Sequence, residues 1–166
     1  VTRILPNGNF CPIYESESFT EDIWISGLPR LHIDVSTATV GGQIYALLED
    51  CSEDGSCIHI GHAIMDLRYH EGGNQEQTWL PIFDTINAKM EFFAMDVQIK
   101  AGHIIRLSLA STGEDYLPAS TSSIIEVSEG SSSNLLFDII NPENKLLFNP
   151  PACMHQSCLD WLNQTT

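Results

Sequence analysis

Five cysteines have the types and spacing in this chain that point most directly to chemistry: Cys11, Cys51, Cys57, Cys153 and Cys158. Cys51 and Cys57 flank a Ser-Glu-Asp-Gly-Ser turn between two strand-like runs. Opposed positions at the mouth of a hairpin lie within reach of a disulfide. Closing so short a loop contributes about 2–2.5 kcal/mol in the chain-entropy account, less under strain. Cys153 and Cys158 form a second local pair, and Cys11 is left over. Such pairs favour an extracytoplasmic or oxidising compartment. Zinc is the competing use, because His155 lies between Cys153 and Cys158. The spacings are wider than those of a CxxC knuckle, so no metal and no cofactor is expected.

Four other constellations invite a functional reading. Asp50-Cys51-Ser52-Glu53-Asp54-Gly55 imitates the opening of an EF-hand loop, but Gly61 stands where a bidentate glutamate is required. It reads as a hairpin turn. His59 and His62 are three apart, and on a strand that odd spacing sends them to opposite faces, which excludes a metal shared between them. His103 opens a strand beside Gly102, where a histidine is more often a hydrogen-bonded structural residue than a catalytic one. Arg106 points off an apolar strand face; it can bind a carboxylate of a neighbouring domain or sit in water. Arg68 and Tyr69 have the same standing. The Gly-x-Ser-x-Gly elbow of an α/β serine hydrolase does not occur, nor does an alternation of strands and helices to carry it. No catalytic residue is assigned, and the chain by itself is read as not an enzyme.

The elements that must position these residues are strands. In Phe93–Pro118, Phe93, Met95, Val97 and Ile99 share one face of a first run, and Ile105, Leu107 and Leu109 share one face of a second. A period of two marks half-buried strands. Gly102, at the corner between them, can take the positive φ such a turn often needs. Leu31, Ile33 and Val35 repeat the pattern, as do Ile44, Ala46 and Leu48, with Ile58, Ile60 and Ile64 continuing it. Ile124–Val127 and Leu135–Ile140 supply later strands. Gly41-Gly42, Asp54-Gly55, Gly72-Gly73, Gly130 and Asn141-Pro142 punctuate the runs. Many short strands with almost no helical periodicity predict an all-β sandwich of two sheets. Residues 1–148 form that domain, and 149–166 a tail with one helical turn around Leu159, Trp161 and Leu162. His70–Lys89 is a long loop holding Trp79, Pro81 and Phe83, with Trp79 expected to fill the gap beneath it.

Composition narrows the partners. A chain of 166 residues with 43% hydrophobic content makes one ordinary domain despite its net charge of −15. Seven scattered Lys and Arg leave little to displace counterions from nucleic acid or to hold an anionic membrane. No apolar run is long enough to span a bilayer. The chain opens on Val1 instead of Met, as a processed protein or an expressed fragment does.

The words of the sequence add a family likeness. Ala101-Gly102-His103-Ile104-Ile105-Arg106-Leu107-Ser108 resembles the "aGHrlRlsi" strand in the C-terminal domain of the X-Pro dipeptidyl-peptidase and cocaine esterase family of serine hydrolases. Upstream, Phe19–Pro29 is similar to the strand that leads into "i-tGxP". Gln43–Asp50 with Glu53-Asp54-Gly55 is similar to the family's "a-rLyDvdpdG" hairpin, and Gly61–Tyr69 to its "G-lrlsyR" strand. The likeness covers roughly residues 15–140 in the right order.

It implies a jelly-roll sandwich, galactose-binding-domain-like, that packs on an α/β-hydrolase catalytic domain and helps shape its substrate pocket. The parent protein would be a dipeptidyl-peptidase or acyl esterase whose triad lies outside this chain. By analogy, the His70–Lys89 and Ser111–Pro118 loops approach the neighbour. Arg68, Tyr69, Trp79, Arg106 and Tyr116 are then the candidate interdomain or ligand contacts. The Ser111–Pro118 segment is longer than the family's "Ser-Ser-(Asp/Asn)-(Phe/Tyr)-Pro", and the cysteine-bearing tail has no counterpart in that pattern. Self-association to a homo-oligomer stays open. The alternative reading is a carbohydrate-binding module that stacks sugar rings on Trp79 and Tyr69.

Overall fold

The computed structural model describes residues 2–6, 12–71, 78–113, 116–117 and 123–140. The Cys11 and Cys153–Cys158 expectations, and the tail, lie outside the described residues. In chain order the strands are β1 (Thr2–Ile4), β2 (Ile13–Glu15), β3 (Ile23–Gly27), β4 (Arg30–Thr37), β5 (Gln43–Cys51) and β6 (Cys57–Asp66). After one 3-10 turn at Leu67–Tyr69 come β7 (Ile86–Glu91), β8 (Met95–Ile99), β9 (Ile104–Ala110), β10 (Ile125–Ser128), β11 (Asn134–Leu136) and β12 (Ile139–Ile140).

All described pairings are antiparallel. One sheet is organised on β4, which pairs β7 along one edge and, along the other, β10 at Asp34–Thr37 and β11 at Arg30–His32. β1 extends it beyond β10. The second sheet runs β2-β9-β5-β6, and a small third one runs β12-β3-β8. The alternating apolar faces meet between the sheets. Leu31, Ile33 and Val35 of β4, with Ile125 and Val127 of β10, pack in one cluster with Ile44, Ala46 and Leu48 of β5 and Ile105, Leu107 and Leu109 of β9. Ile25 and Ile99 of the small sheet join the same core. The architecture is therefore an all-β sandwich, held by burial of one face of each sheet.

The β8–β9 corner turns at Gly102, whose φ is +85°. The β5–β6 hairpin is closed by a disulfide between Cys51 and Cys57, which face each other in register with Cα atoms 4.0 Å apart.

Four expectations need correction. Phe93 does not share the buried face of β8: it is 67% exposed, while Phe92 is 2% exposed and takes the core position. The strand begins only at Met95, and the Phe92 N–H donates to the Pro29 carbonyl at 2.9 Å, so the chain turns between β7 and β8 and the alternation resets. The long loop ends at Thr85, because Ile86–Glu91 pairs with β4 instead of remaining irregular. Trp79 does not fill the space beneath that loop. It is 63% exposed, and buried Leu80 takes the inner place, its N–H donating to the Val40 carbonyl at 3.2 Å.

The fourth correction concerns β6. Gly61 stands opposite Leu48 and His59 opposite Glu49, so Ile60 is an extra residue between two consecutive pairs. Such a bulge resets which residues face inward. Ala63, opposite Ala46, lies in the core; Ile58 is exposed, and Ile64 stands opposite Tyr45 on the outer face. The same reset places His59 and His62 on one face, against the strict alternation that would separate them.

Candidate functional site

Sheet register brings three connections to one end of the sandwich. Gln43 opens β5 opposite Asp66 at the end of β6, and Tyr45 stands opposite Ala110 at the end of β9. The β4–β5, β6–β7 and β9–β10 loops therefore emerge together, and backbone bonds tie them. The Leu67 N–H donates to the Gly42 carbonyl at 2.8 Å, and the Phe83 N–H to the Thr37 carbonyl at 2.9 Å. Gln43 Nε2 donates to the carbonyls of Ser111 at 3.1 Å and Leu117 at 3.4 Å.

This end presents apolar side chains to solvent. Phe83 is 75% exposed, Leu117 89%, and Val40, Trp79 and Ile82 are exposed as well. Phe83 also has a φ of +65°, in the left-handed region that a Cβ disfavours. Holding a non-glycine residue there costs about 1 kcal/mol, and such conformations gather at ligand clamps and functional loops.

Beside it, on the outer face of the β9-β5-β6 sheet, stands an aromatic and imidazole cluster. His62 stacks on Tyr45 with ring centroids 5.7 Å apart, and meets the edge of Phe93 at 5.4 Å. Its Nε2 lies 2.9 Å from the Tyr116 hydroxyl and its Nδ1 3.3 Å from His59 Nε2. Gly113 lies against the Tyr45 ring so closely that an added Cβ would fall 2.6 Å from it, which fixes how the β9–β10 loop folds over the sheet. The sequence signal for this cluster is Gly61: a lone glycine inside a strand pattern marks a bulge.

The predicted site residues separate into four groups. Arg106 donates to Glu15 on the neighbouring strand, with Nη2 2.8 Å from Oε1, so a carboxylate of its own sheet engages it. Arg68 is engaged with Asp66. Tyr69, half exposed, lines a surface cavity of about 640 Å³ with Arg30, His32, Lys89 and Glu91. Tyr116 belongs to the His62 cluster, and Trp79 to the exposed apolar end.

His103 Nδ1 lies 2.7 Å from Asp50 Oδ1, tying the start of β9 to the end of β5. Asp54 accepts from the Ser52 hydroxyl at 2.6 Å and the Ser56 N–H at 2.8 Å. Those bonds hold its carboxyl below the usual range, and they close the turn that imitates a calcium loop. Among the described residues no group of three or more His, Cys, Asp or Glu side chains is placed to hold a metal ion. A cavity of about 580 Å³ opens between the layers, walled by Leu31, Ile33, Ile105, Leu107 and Phe137.

Comparison with known proteins bears on what such a surface serves. A family model described as the X-Pro dipeptidyl-peptidase C-terminal non-catalytic domain matches residues 12–142. No curated protein matches the sequence. A CocE/NonD family hydrolase from Staphylococcus aureus is similar in structure, with a TM-score of 0.70 at 12% identity over 83% of this chain and 32% of that one. An aminopeptidase from a marine sediment archaeon, Thaumarchaeota archaeon, gives 0.68 at 14% identity over 78% of this chain and 25% of that one. An alpha-amino acid ester hydrolase gives 0.66 at 16% identity, over 77% and 25%. At such identities the likeness establishes the fold. This chain spans about a quarter to a third of the length of those structures.

Proposed function

The chain belongs to the X-Pro dipeptidyl-peptidase C-terminal non-catalytic domain family, and from that premise we propose that it serves a larger serine hydrolase as an accessory domain. Its partner is an α/β-hydrolase catalytic domain, which supplies the nucleophile, histidine and acid and performs dipeptidyl-peptidase or acyl ester hydrolysis. The domain packs on that partner with the β4–β5, β6–β7 and β9–β10 loops and helps wall the substrate pocket. The family match over residues 12–142, which reaches into every layer of the sandwich, carries this reading.

Physical features support it. Rigid sheets present the three loops together, which is where contacts on such scaffolds arise. Trp79, Phe83 and Leu117 are exposed on loops at one end of the sandwich, and large apolar side chains gathered in this way suit an interaction site. A closed hairpin disulfide fits an oxidising compartment for the parent protein.

The test uses the full-length hydrolase with Trp79→Ala and Phe83→Ala together, beside the unaltered enzyme and the isolated chain. Turnover is followed on a Gly-Pro-p-nitroanilide and on a p-nitrophenyl acyl ester. Loss of two apolar contacts at a domain interface is expected to raise KM about tenfold, with a smaller change in kcat. The isolated chain should turn over neither substrate. Unchanged KM in the double variant would remove this end from the interface, and turnover by the isolated chain would end the accessory reading.

A further inference from the structure

The bulge in β6 builds a pair of nitrogens that the accessory role does not require. His59 Nε2 and His62 Nδ1 lie 3.3 Å apart, with ring centroids 5.3 Å apart. Two imidazole nitrogens that each sit about 2.0–2.1 Å from one tetrahedral ion stand about 3.3–3.4 Å from each other. The separation is therefore that of two ligands on one metal, reached with both rings already on one face. The other nitrogen of His62, Nε2, meets the Tyr116 hydroxyl at 2.9 Å. A metal-binding histidine almost always uses its second nitrogen in this way, which sets the tautomer and the ring's direction. The Tyr45 and Phe93 rings hold the imidazole from two further sides. Glu49, opposite His59, and the chain's net charge of −15 bias the surroundings towards a cation.

We propose that His59 Nε2 and His62 Nδ1 bind one divalent transition-metal ion, with Tyr116 as the positioning residue. On binding, the proton held between the two nitrogens gives way to the ion, and each neutral ring carries its single proton on its far nitrogen, so that His62 Nε2–H donates to the Tyr116 oxygen. The 3.3 Å separation is that of tetrahedral Zn²⁺; Cu²⁺, higher in the general affinity order for imidazole sites, binds more tightly once the two nitrogens close to the roughly 2.8 Å of a tetragonal shell. With no third His, Cys, Asp or Glu grouped with them among the described residues, the ion completes its shell with water and exchanges readily.

The experiment titrates the whole chain, with Cys11, Cys153 and Cys158 replaced by serine to remove competing sulfur ligands, with Cu²⁺ and separately with Zn²⁺. One Cu²⁺ per chain is expected, bound more tightly than Zn²⁺, with two nitrogen ligands in its electron paramagnetic resonance spectrum. His59→Ala and His62→Ala should each weaken binding tenfold or more. Tyr116→Phe should weaken it about tenfold and alter the spectrum without removing the nitrogens. His59 is exposed, so its variant separates loss of the ligand from loss of folding, checked by thermal melting. Wild-type affinity in the double histidine variant, or a spectrum without nitrogen coupling, would overturn the proposal.

Discussion

Arg68 Nε donates to both carboxylate oxygens of Asp66, at 2.9 and 3.0 Å, and the Arg68 backbone N–H donates to Oδ1 at 3.0 Å. The two residues sit where β6 ends and the chain turns into the loop that carries Trp79. An arginine that the family likeness offers to a neighbouring domain thus braces the base of that loop.

This pair sets a pH dependence. Burial pushes the Asp66 carboxyl up, but the bonds from the Arg68 side chain and backbone outweigh it, and the group stands below its ordinary value. A carboxyl depressed in the folded state adds stability above its unfolded pKa of about 3.9 and loses it as pH falls through the folded value. Asp66→Asn should lower stability by about 1 kcal/mol at pH 7. The gap should close as the pH drops below about 4. Urea unfolding of both forms at pH 7 and pH 2.5 measures this; an equal gap at both would remove ionisation from the account.

The Cys51–Cys57 crosslink closes a short hairpin. Replacing both residues with alanine should lower stability by about 2 kcal/mol in the chain-entropy account. For a domain of this size that is a drop in melting temperature of about 5 °C. Melting with and without dithiothreitol checks it. The double variant should lose most of the reductant sensitivity; if it melts with the unaltered protein, the crosslink is not stabilising.

Adjacent phenylalanines should behave oppositely. Phe92 is buried against the core and Phe93 is largely exposed. Phe92→Ala should cost about 3–5 kcal/mol through lost burial and a cavity. Phe93→Ala should stay within about 0.5 kcal/mol, as surface changes do. Chemical denaturation of the two variants decides between them, and similar losses would mean that the core assignment at the β7–β8 turn is wrong.

Much of the fold was legible because a regular ladder keeps its period of two. Leu31, Ile33 and Val35, then Ile44, Ala46 and Leu48, then Ile105, Leu107 and Leu109, all lie on core faces. The family was legible too, since the words around Gly102–Ser108 and Gly61–Tyr69 sit within the matched residues 12–142.

The candidate sites were less so. Register is a property of two strands at once: Gly61 marks a bulge in the sequence, but that Ile60 is the extra residue between the Leu48 and Glu49 pairs shows when β6 is laid on β5. That offset brought His59 and His62 together. The partners of the charged groups, Glu15 for Arg106 and Asp50 for His103, come from distant segments and were likewise set by the assembled sheets. Local alternation chose which side chains would leave water. Strand pairing chose which of the remaining ones would meet, because contact at 3 Å depends on the sum of all the registers between them.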